Sequence, residues 1–385
     1  MKTNEIGNVL MVSNHSSDTA YAWWLMEHFW VNLAQHFATK GQQAFVAYPK
    51  IAGLSKKISE SDITAVELCV PWSTRDEFES VRDFLRANDI QTIYFTDQKY
   101  LNFQYRTLRQ LGVKNILVHD HTPGDRPPVG GVKGFLKSVV HRIPSITATA
   151  VYCVSDHMRN RNLANGRVPP EKLIVVQNGI VPLNLESMDS TETRRALGIG
   201  QSTFVVVSTG RANPYKRLDF IIDCAAALKT KATSADFVFL IAGDGPAMPE
   251  LKRQVERLEL QDHVKLLGFR TDVHELLNCA DVAFHAALGE GFSLSIVEYM
   301  SAGLPVLVPD IPSVTQSLVH DETGLFFRDG DIESASEHLM QLMANVDRRK
   351  AMGALAKQTA DTLYSLDACT RAFEQANQEV LPFTT

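Results

Sequence analysis

The sequence is poor in the features that mark several protein classes. Its five cysteines, Cys69, Cys153, Cys224, Cys279 and Cys369, are scattered singly and never form CxxC. That argues against a zinc ribbon or a dithiol redox pair and makes a reducing cytoplasm the expected compartment. No run approaches the roughly 18 apolar residues that span a bilayer. The opening residues, MKTNEIGNVLMVS, hold one lysine and only the short apolar stretch NVLMV, which reads as a first β-strand rather than a secretory signal. Positive charge is in deficit: 38 Lys and Arg face 44 Asp and Glu, a net charge of −6, so general nucleic-acid binding is not expected. The phosphate-binding pattern GxxxxGK[ST] does not occur, which excludes a Walker A loop.

What is present is regular. The 385 residues, 45% hydrophobic and 21% charged, suit a soluble protein of two domains. Short apolar runs alternate with amphipathic stretches. NVLMVS, QAFVAYP, TAVELCV, QTIYFTD, NILVHD, AVYCVS and LIVVQN form one series of strand candidates, and FVVVST, FVFLIAG, HVKLLGF, VAFHAA and PVLVPD a second. Several are apolar throughout, as strands covered on both faces of a parallel sheet are. RDEFESVRDFLRAN, LDFIIDCAAALKTK, PELKRQVERLEL and SLSIVEYMSAG supply helices between them. The pattern predicts an α/β protein of two doubly wound, Rossmann-like domains facing each other across a cleft. The segment QNGIVPLNLESMDSTE reads as the linker. The first domain is expected over 1–180 and the second over 181–365, with residues 366–385 forming a last helix that packs back on the first domain.

In such sheets, ligands bind beyond the carboxyl ends of the strands. HDHTP, NGI, GRANPYKR, GDGP and GEGF each follow a strand candidate. In GEGFSLSIVEYMSAGLPVLVPD, Glu290 and Glu298 stand eight apart, with Gly291, Phe292, Ser293 and Leu294 at a strand-to-helix turn. The open N–H groups of that helix suit phosphate or sugar oxygens, and a carboxylate suits vicinal hydroxyls. Glu298 is placed about two helical turns beyond Glu290; the plain alternative is a dipole-favouring charge and an exposed glutamate. Arg211 and Lys216, in STGRANPYKRLDF, could clamp a diphosphate or form a solvated basic turn. Gly243 and Asp244, ending FLIAGDGP, allow close approach of backbone to a ligand or make a βα turn.

These segments, in this order, resemble the donor-binding half of the retaining glycosyltransferases of family 4, whose fold is GT-B. The matching pieces are QNGI, GRANPYKRLD, FLIAGDGP, VKLLGF, ADVAFHAA, EGFSLSIVEYMSAGLPVLVPD and TGLFFRDGD, from about residue 175 to 331. The resemblance implies a retaining transferase that moves a hexose-type sugar from a nucleotide-diphosphate donor to a glycan, lipid-linked or small-molecule acceptor. It implies that Arg211 and Lys216 hold the diphosphate, Glu298 the ribose and Glu290 the transferred sugar. The N–H groups of Phe292, Ser293 and Leu294 would lie near sugar and phosphate, with Gly291, Gly243 and Asp244 in the same donor site. LLGF, ending in Phe269, and Arg270 would lie beside the base. No metal and no further cofactor are expected, and Asp329–Gly330–Asp331, formally a DxD, reads as a turn capping the next helix.

The first domain matches more loosely. Relatives carry a glycine-rich turn after the first strand, whereas SNHSSDTAYAWWLMEHFW has no glycine. Asp18 in this stretch is a candidate acceptor-side residue, and its tryptophans, with Trp72, read mainly as core. ILVHDHTPGDRP places His119, Asp120, His121, Asp125 and Arg126 at a strand end. The resemblance gives a histidine here the contact with the donor sugar, His119 matching that position best and His121 being the other candidate, while Asp120 and His121 shape the turn or meet the acceptor. A metal reading is weaker, because adjacent residues of a strand end point to opposite sides. From Lys133 to Arg167, six Lys or Arg accompany one acid, Asp156, and GFLKSVVHR is apolar on one side and basic on the other. It reads either as a peripheral contact with the inner face of a membrane or as an ordinary helix with a solvated basic face. A catalytically silent sugar-nucleotide-binding subunit and a GT-B epimerase or phosphorylase are the alternatives in function.

Overall fold

The computed structural model describes residues 7–19, 23–122, 124, 128–185 and 187–381. Asp125 and Arg126 lie outside the described residues. The chain divides into two compact units, one of Met1–Asn178 with Cys369–Thr385 and the other of Gly179–Ala368.

The first unit holds seven parallel strands: β1 (Asn8–Val12), β2 (Ala44–Tyr48), β3 (Ile63–Glu67), β4 (Ile90–Thr96), β5 (Asn115–Asp120), β6 (Ala150–Cys153) and β7 (Leu173–Val175). Their order is β3-β2-β1-β4-β5-β6-β7. The order reverses between β1 and β4, so the loops leaving these two strands flank the crevice where such sheets take ligands. Successive residues of β1, β2, β4 and β5 are buried on both faces, which is why their sequences are apolar without alternation. The glycine-free loop after β1 is held by polar side chains instead. Asn14 donates to the carbonyl of Thr96 at 2.5 Å, and the Ser17 hydroxyl accepts from the N–H of Ala52 at 3.0 Å. Among its described residues, 13–19, none needs a positive φ.

The last helix, Leu366–Val380, lays Phe373 against Phe29 at 4.9 Å between ring centres, and Tyr152 donates to Asn377 at 3.0 Å. Trp30 is fully enclosed beside Tyr48, while Trp23, Trp24 and Trp72 are half-buried.

The second unit holds six parallel strands: β8 (Phe204–Thr209), β9 (Phe237–Ala242), β10 (Val264–Gly268), β11 (Val282–Phe284), β12 (Val306–Pro309) and β13 (Gly324–Phe327). Their order is β10-β9-β8-β11-β12-β13, with the reversal between β8 and β11. Strand β13 is absent from the strand series read in sequence, because its four residues sit between turn signals. Residues read as a linker are attached to this unit: Ile180 donates to Tyr364 O at 3.0 Å and accepts from Leu366 N at 2.7 Å. Asp331 caps helix Ile332–Ala344 by accepting from Ser334 N at 3.0 Å, as its place after TGLFFR suggests.

Helix Leu294–Ser301 ends at Gly303, whose φ of +76° is open to glycine. It is crossed by helix Val346–Leu363 so closely that a Cβ on Gly353 would sit 1.9 Å from Gly303 O. The lack of a side chain at Gly353 thus sets how near the two elements come. Gly353→Ala must push them apart and is expected to lower stability by about 1–3 kcal/mol, as overpacking does. A shift of the urea midpoint with unchanged slope is the readout.

Candidate functional site

The reversal between β8 and β11 brings together two loops read separately in sequence. Arg211 and Lys216 follow β8, and Glu290 follows β11. Lys216 stands at the end of the 3₁₀ turn Pro214–Lys216, and the chain enters helix Leu218–Lys231 through Arg217 at φ +53°. Leu288 N donates to Tyr215 O at 2.9 Å, which ties one loop to the other.

Lys216 Nζ lies 2.5 Å from Glu290 Oε1, with the side chains 12% and 9% exposed. His285 Nε2 approaches the same oxygen at 3.1 Å. A carboxylate can only accept, so this imidazole carries its hydrogen on Nε2. Burial alone would raise the Glu290 pKa; the His285 hydrogen bond and the Lys216 charge outweigh it and bring it to about 2. Burial holds His285 below the usual imidazole value, with Glu290 opposing and Lys216 adding to the effect. The resting site is therefore a carboxylate shared by one cation and one neutral ring. His285 was missed in sequence, although a histidine inside the apolar run VAFHAA was a visible signal.

The backbone around Glu290 is also fixed. Its N–H donates to the Ser313 hydroxyl at 3.4 Å, and Gly291 O accepts from Gln316 at 3.0 Å. Phe292 is buried with its ring 5.6 Å from that of Tyr364. Ser293 caps the helix by accepting from Ile296 N at 3.4 Å, so Leu294 opens it. Glu298 is only the fifth helical residue, closer to the turn than the two helical turns read from spacing. Burial alone pushes its pKa up to about 7. Tyr299 fastens the helix to β8: Thr209 N donates to its hydroxyl at 2.6 Å.

Gly243 has a reason inside the fold. At φ +147°, its Cβ would fall 1.8 Å from Gly210 O, so the loops after β8 and β9 touch through backbone. This close approach is to Gly210; the sequence reading offered either an approach to a ligand or a plain βα turn. Asp244 is exposed and accepts from Gly245 N at 2.7 Å, while its carbonyl accepts from Ala212 N at 3.0 Å. Phe269 is 75% exposed beyond β10. Arg270 forks onto Asp272, with Nε to Oδ1 at 2.7 Å, and lines a depression with Met188, Asp189 and Glu192.

In the first unit, His119 is fully enclosed. Its Nδ1 lies 2.5 Å from the Tyr94 hydroxyl, and its ring centre is 4.7 Å from Phe29 and 4.2 Å from His121. A direct contact of His119 with a sugar is at odds with that burial. His121 is partly exposed, and its N–H donates to Asp97 Oδ1 at 2.6 Å. Burial lowers the pKa of both rings. Asp120 is buried and spent on shaping the turn: it accepts from Asn162 at 2.9 Å, Arg161 at 3.2 Å and Thr122 N at 3.1 Å. Arg161 donates onward to Thr122 O at 2.9 Å. Asp18 is exposed and accepts from the Ser16 hydroxyl at 2.5 Å. Among the described residues, no three His, Cys, Asp or Glu side chains are grouped as metal ligands would be.

Two parallel sheets with the site at strand ends define the GT-B fold, which solved chains share. The Anabaena protein HepE, solved with UDP, superposes with a TM-score of 0.75 at 17% identity, over 97% of this chain and all of that one. Residues 189–359, within the second unit, match the family described as Glycosyl transferases group 1. The chain is 24% identical over half its length to N-acetyl-alpha-D-glucosaminyl L-malate synthase of Bacillus anthracis, covering 50% of it. It is 28% identical to the UDP-Gal:alpha-D-GlcNAc-diphosphoundecaprenol alpha-1,3-galactosyltransferase of Escherichia coli, over 50% of this chain and 51% of that one. The chain thus spans about half the length of the curated relatives it matches.

Because the Glu290 pKa falls from an ordinary 4.5 to about 2 on folding, its ionised form stabilises the protein above pH 4.5 and ceases to do so as pH falls through 2. Glu290→Gln also leaves Lys216 without its partner. A loss of about 3 kcal/mol is expected at pH 7. Thermal melts of both proteins should show the gap closing as pH drops from 4.5 towards 2.

Proposed function

We propose that the protein is a retaining, metal-independent glycosyltransferase that moves a hexose-type unit from a nucleotide-diphosphate sugar to an acceptor hydroxyl. The observation that carries this reading is the Lys216–Glu290–His285 cluster at the reversal of the second sheet, beside the start of helix Leu294–Ser301. The diphosphate draws Lys216 from Glu290 and is joined by Arg211 and the opening N–H groups of the helix. Glu290 is then free to accept from hydroxyls of the transferred sugar, and Glu298 accepts from the ribose diol. Phe269 offers an exposed ring to the base, and Gly243 and Asp244 keep the neighbouring loop in place.

In the reaction, the bond between the anomeric carbon and the diphosphate oxygen breaks while the acceptor oxygen bonds to the same face of that carbon. The acceptor's proton passes to the departing diphosphate. Arg211, Lys216 and the helix N–H groups offset the charge that develops there. No protein base of high pKa is required.

HepE, solved also with UDP-glucose, supports a UDP-sugar donor. The acceptor side is assigned to the first unit, where His121 and Asp18 are the reachable candidates and His119 backs His121. The E. coli relative, named for a diphosphoundecaprenol-linked substrate, favours a lipid-linked acceptor. Such an acceptor would place this chain on the inner face of a membrane as a peripheral protein, though glycan and small-molecule acceptors share the same chemistry.

Thermal shift against UDP and GDP sugars identifies the donor, since a ligand at 100 times its Kd adds about 2.7 kcal/mol. Glu290→Ala is expected to lower transfer by about 100-fold or more while UDP still binds; full transfer by this variant would falsify the assignment. The anomeric configuration of the product, read by NMR, tests retention. A diol donating to Glu298 favours its ionised form, so UDP affinity should rise as pH passes upward through about 7. Titration calorimetry should find that extra rise missing in Glu298→Gln; the same profile in both proteins would remove Glu298 from the site.

A further inference from the structure

Helix Gly131–Val140 is inverted relative to a helix that packs on a domain core. Val132, Phe135, Leu136 and Val139 are 77%, 69%, 56% and 49% exposed. They recur at i, i+3, i+4 and i+7, which places them on one face. Ile143, 40% exposed, continues the row beyond the helix end. The opposite side is small or polar and turns inward. Gly134 is buried, with Val129 O 2.5 Å from where its Cβ would be. His141 is also buried, and Lys137 donates to Asn165 O at 3.0 Å.

Phe103, 73% exposed, follows Asn102, whose N–H donates to Ile146 O at 2.9 Å just after the helix. Lys133 and Arg142, both exposed, fall on the two flanks of the apolar face at 100° per residue. From Lys133 to Arg167 the only acid is Asp156. Of the cations in that stretch, Arg161 is buried against Asp120, and Glu171 lines the same depression as Arg142; Lys133 and Arg142 are the exposed cations beside the apolar row.

We propose that this face docks the first unit onto an anionic lipid surface. The side chains of Val132, Phe135, Leu136 and Val139 enter the boundary between headgroups and acyl chains, and Lys133 and Arg142 meet lipid phosphates on either side. The attachment is interfacial, since among the described residues no helix is long and apolar enough to cross a membrane. The charge flanks favour an anionic membrane over a second copy of this chain, whose like-charged flanks would oppose each other. The inference does not depend on the transfer reaction: it uses neither the donor site nor the strand-end residues.

The test is co-sedimentation of the full chain with vesicles of phosphatidylglycerol and phosphatidylethanolamine, against vesicles of phosphatidylcholine alone, with no sugar nucleotide present. The chain is expected to pellet with the anionic vesicles and stay in solution with the neutral ones, with binding weakened in high salt. The double variant Phe135→Ser, Leu136→Ser should bind at least tenfold more weakly while melting at the unchanged temperature, because these side chains already face water. Lys133→Glu with Arg142→Glu should lose the preference for anionic lipid. Wild-type chain left in the supernatant with anionic vesicles, or a serine variant that binds as well as wild type, overturns the proposal. So does a dimer in lipid-free solution that the serine variant converts to monomer without any change in vesicle binding. Transfer activity measured on the same samples stands or falls separately.

Discussion

An ionised carboxylate in a nearly dry place must be shared by partners held against it, and the second unit is organised around that requirement at Glu290. Lys216 comes from the loop after β8 and His285 from the end of β11, two strands that are adjacent only because the sheet order reverses there. Ser313 fixes the Glu290 N–H, Gln316 the next carbonyl, and Tyr299 ties the following helix back to β8. Each is a neutral hydrogen bond that holds an element, leaving the charges to balance one another. The ion pair is therefore weak evidence for stability in itself, but it defines where each loop must stand.

The first unit solves a similar problem differently. Its buried charges, Asp120 and Arg161, satisfy each other and the backbone of the turn they shape. They remain pinned inside, while His121 and Asp18 keep solvent access. A pair of charges thus serves architecture in one unit and sits where the strand order reverses in the other. Distance in sequence separates the cases poorly: in both, the partners come from different elements, 41 residues apart for Asp120 and Arg161 and 74 for Lys216 and Glu290.

Much of the fold was legible because buried parallel strands must be apolar throughout, and LDFIIDCAAALKTK matches the helix Leu218–Lys231 residue for residue. Strand β13 escaped because GLFF is too short to show a period. At the site, Arg211, Lys216 and Glu290 were legible in loops that follow strands and Glu298 in the helix beyond, but the pairing of Lys216 with Glu290 was not, since it depends on strand order. Arg270 is a different case: its partner Asp272 lies only two residues away and claims the guanidinium. His119 and Asp120 looked alike as polar residues ending an apolar run; only the packing of Phe29, Tyr94 and Phe373 shows how deeply the ring is enclosed. The outward face of Gly131–Val140 was equally hidden, because periodicity reveals that a helix has an apolar side and not which way that side turns.

The contact of Gly243 with Gly210 carries a further consequence. With no side chain between them, the loops after β8 and β9 behave mechanically as one part: neither can change its path without displacing the other. Redesign of the β9 loop, even at positions remote from any charge, would be transmitted to the stem that presents Arg211 and Lys216. The loop with the fewest chemical groups is thus the gauge that sets the reach of the most strongly charged one.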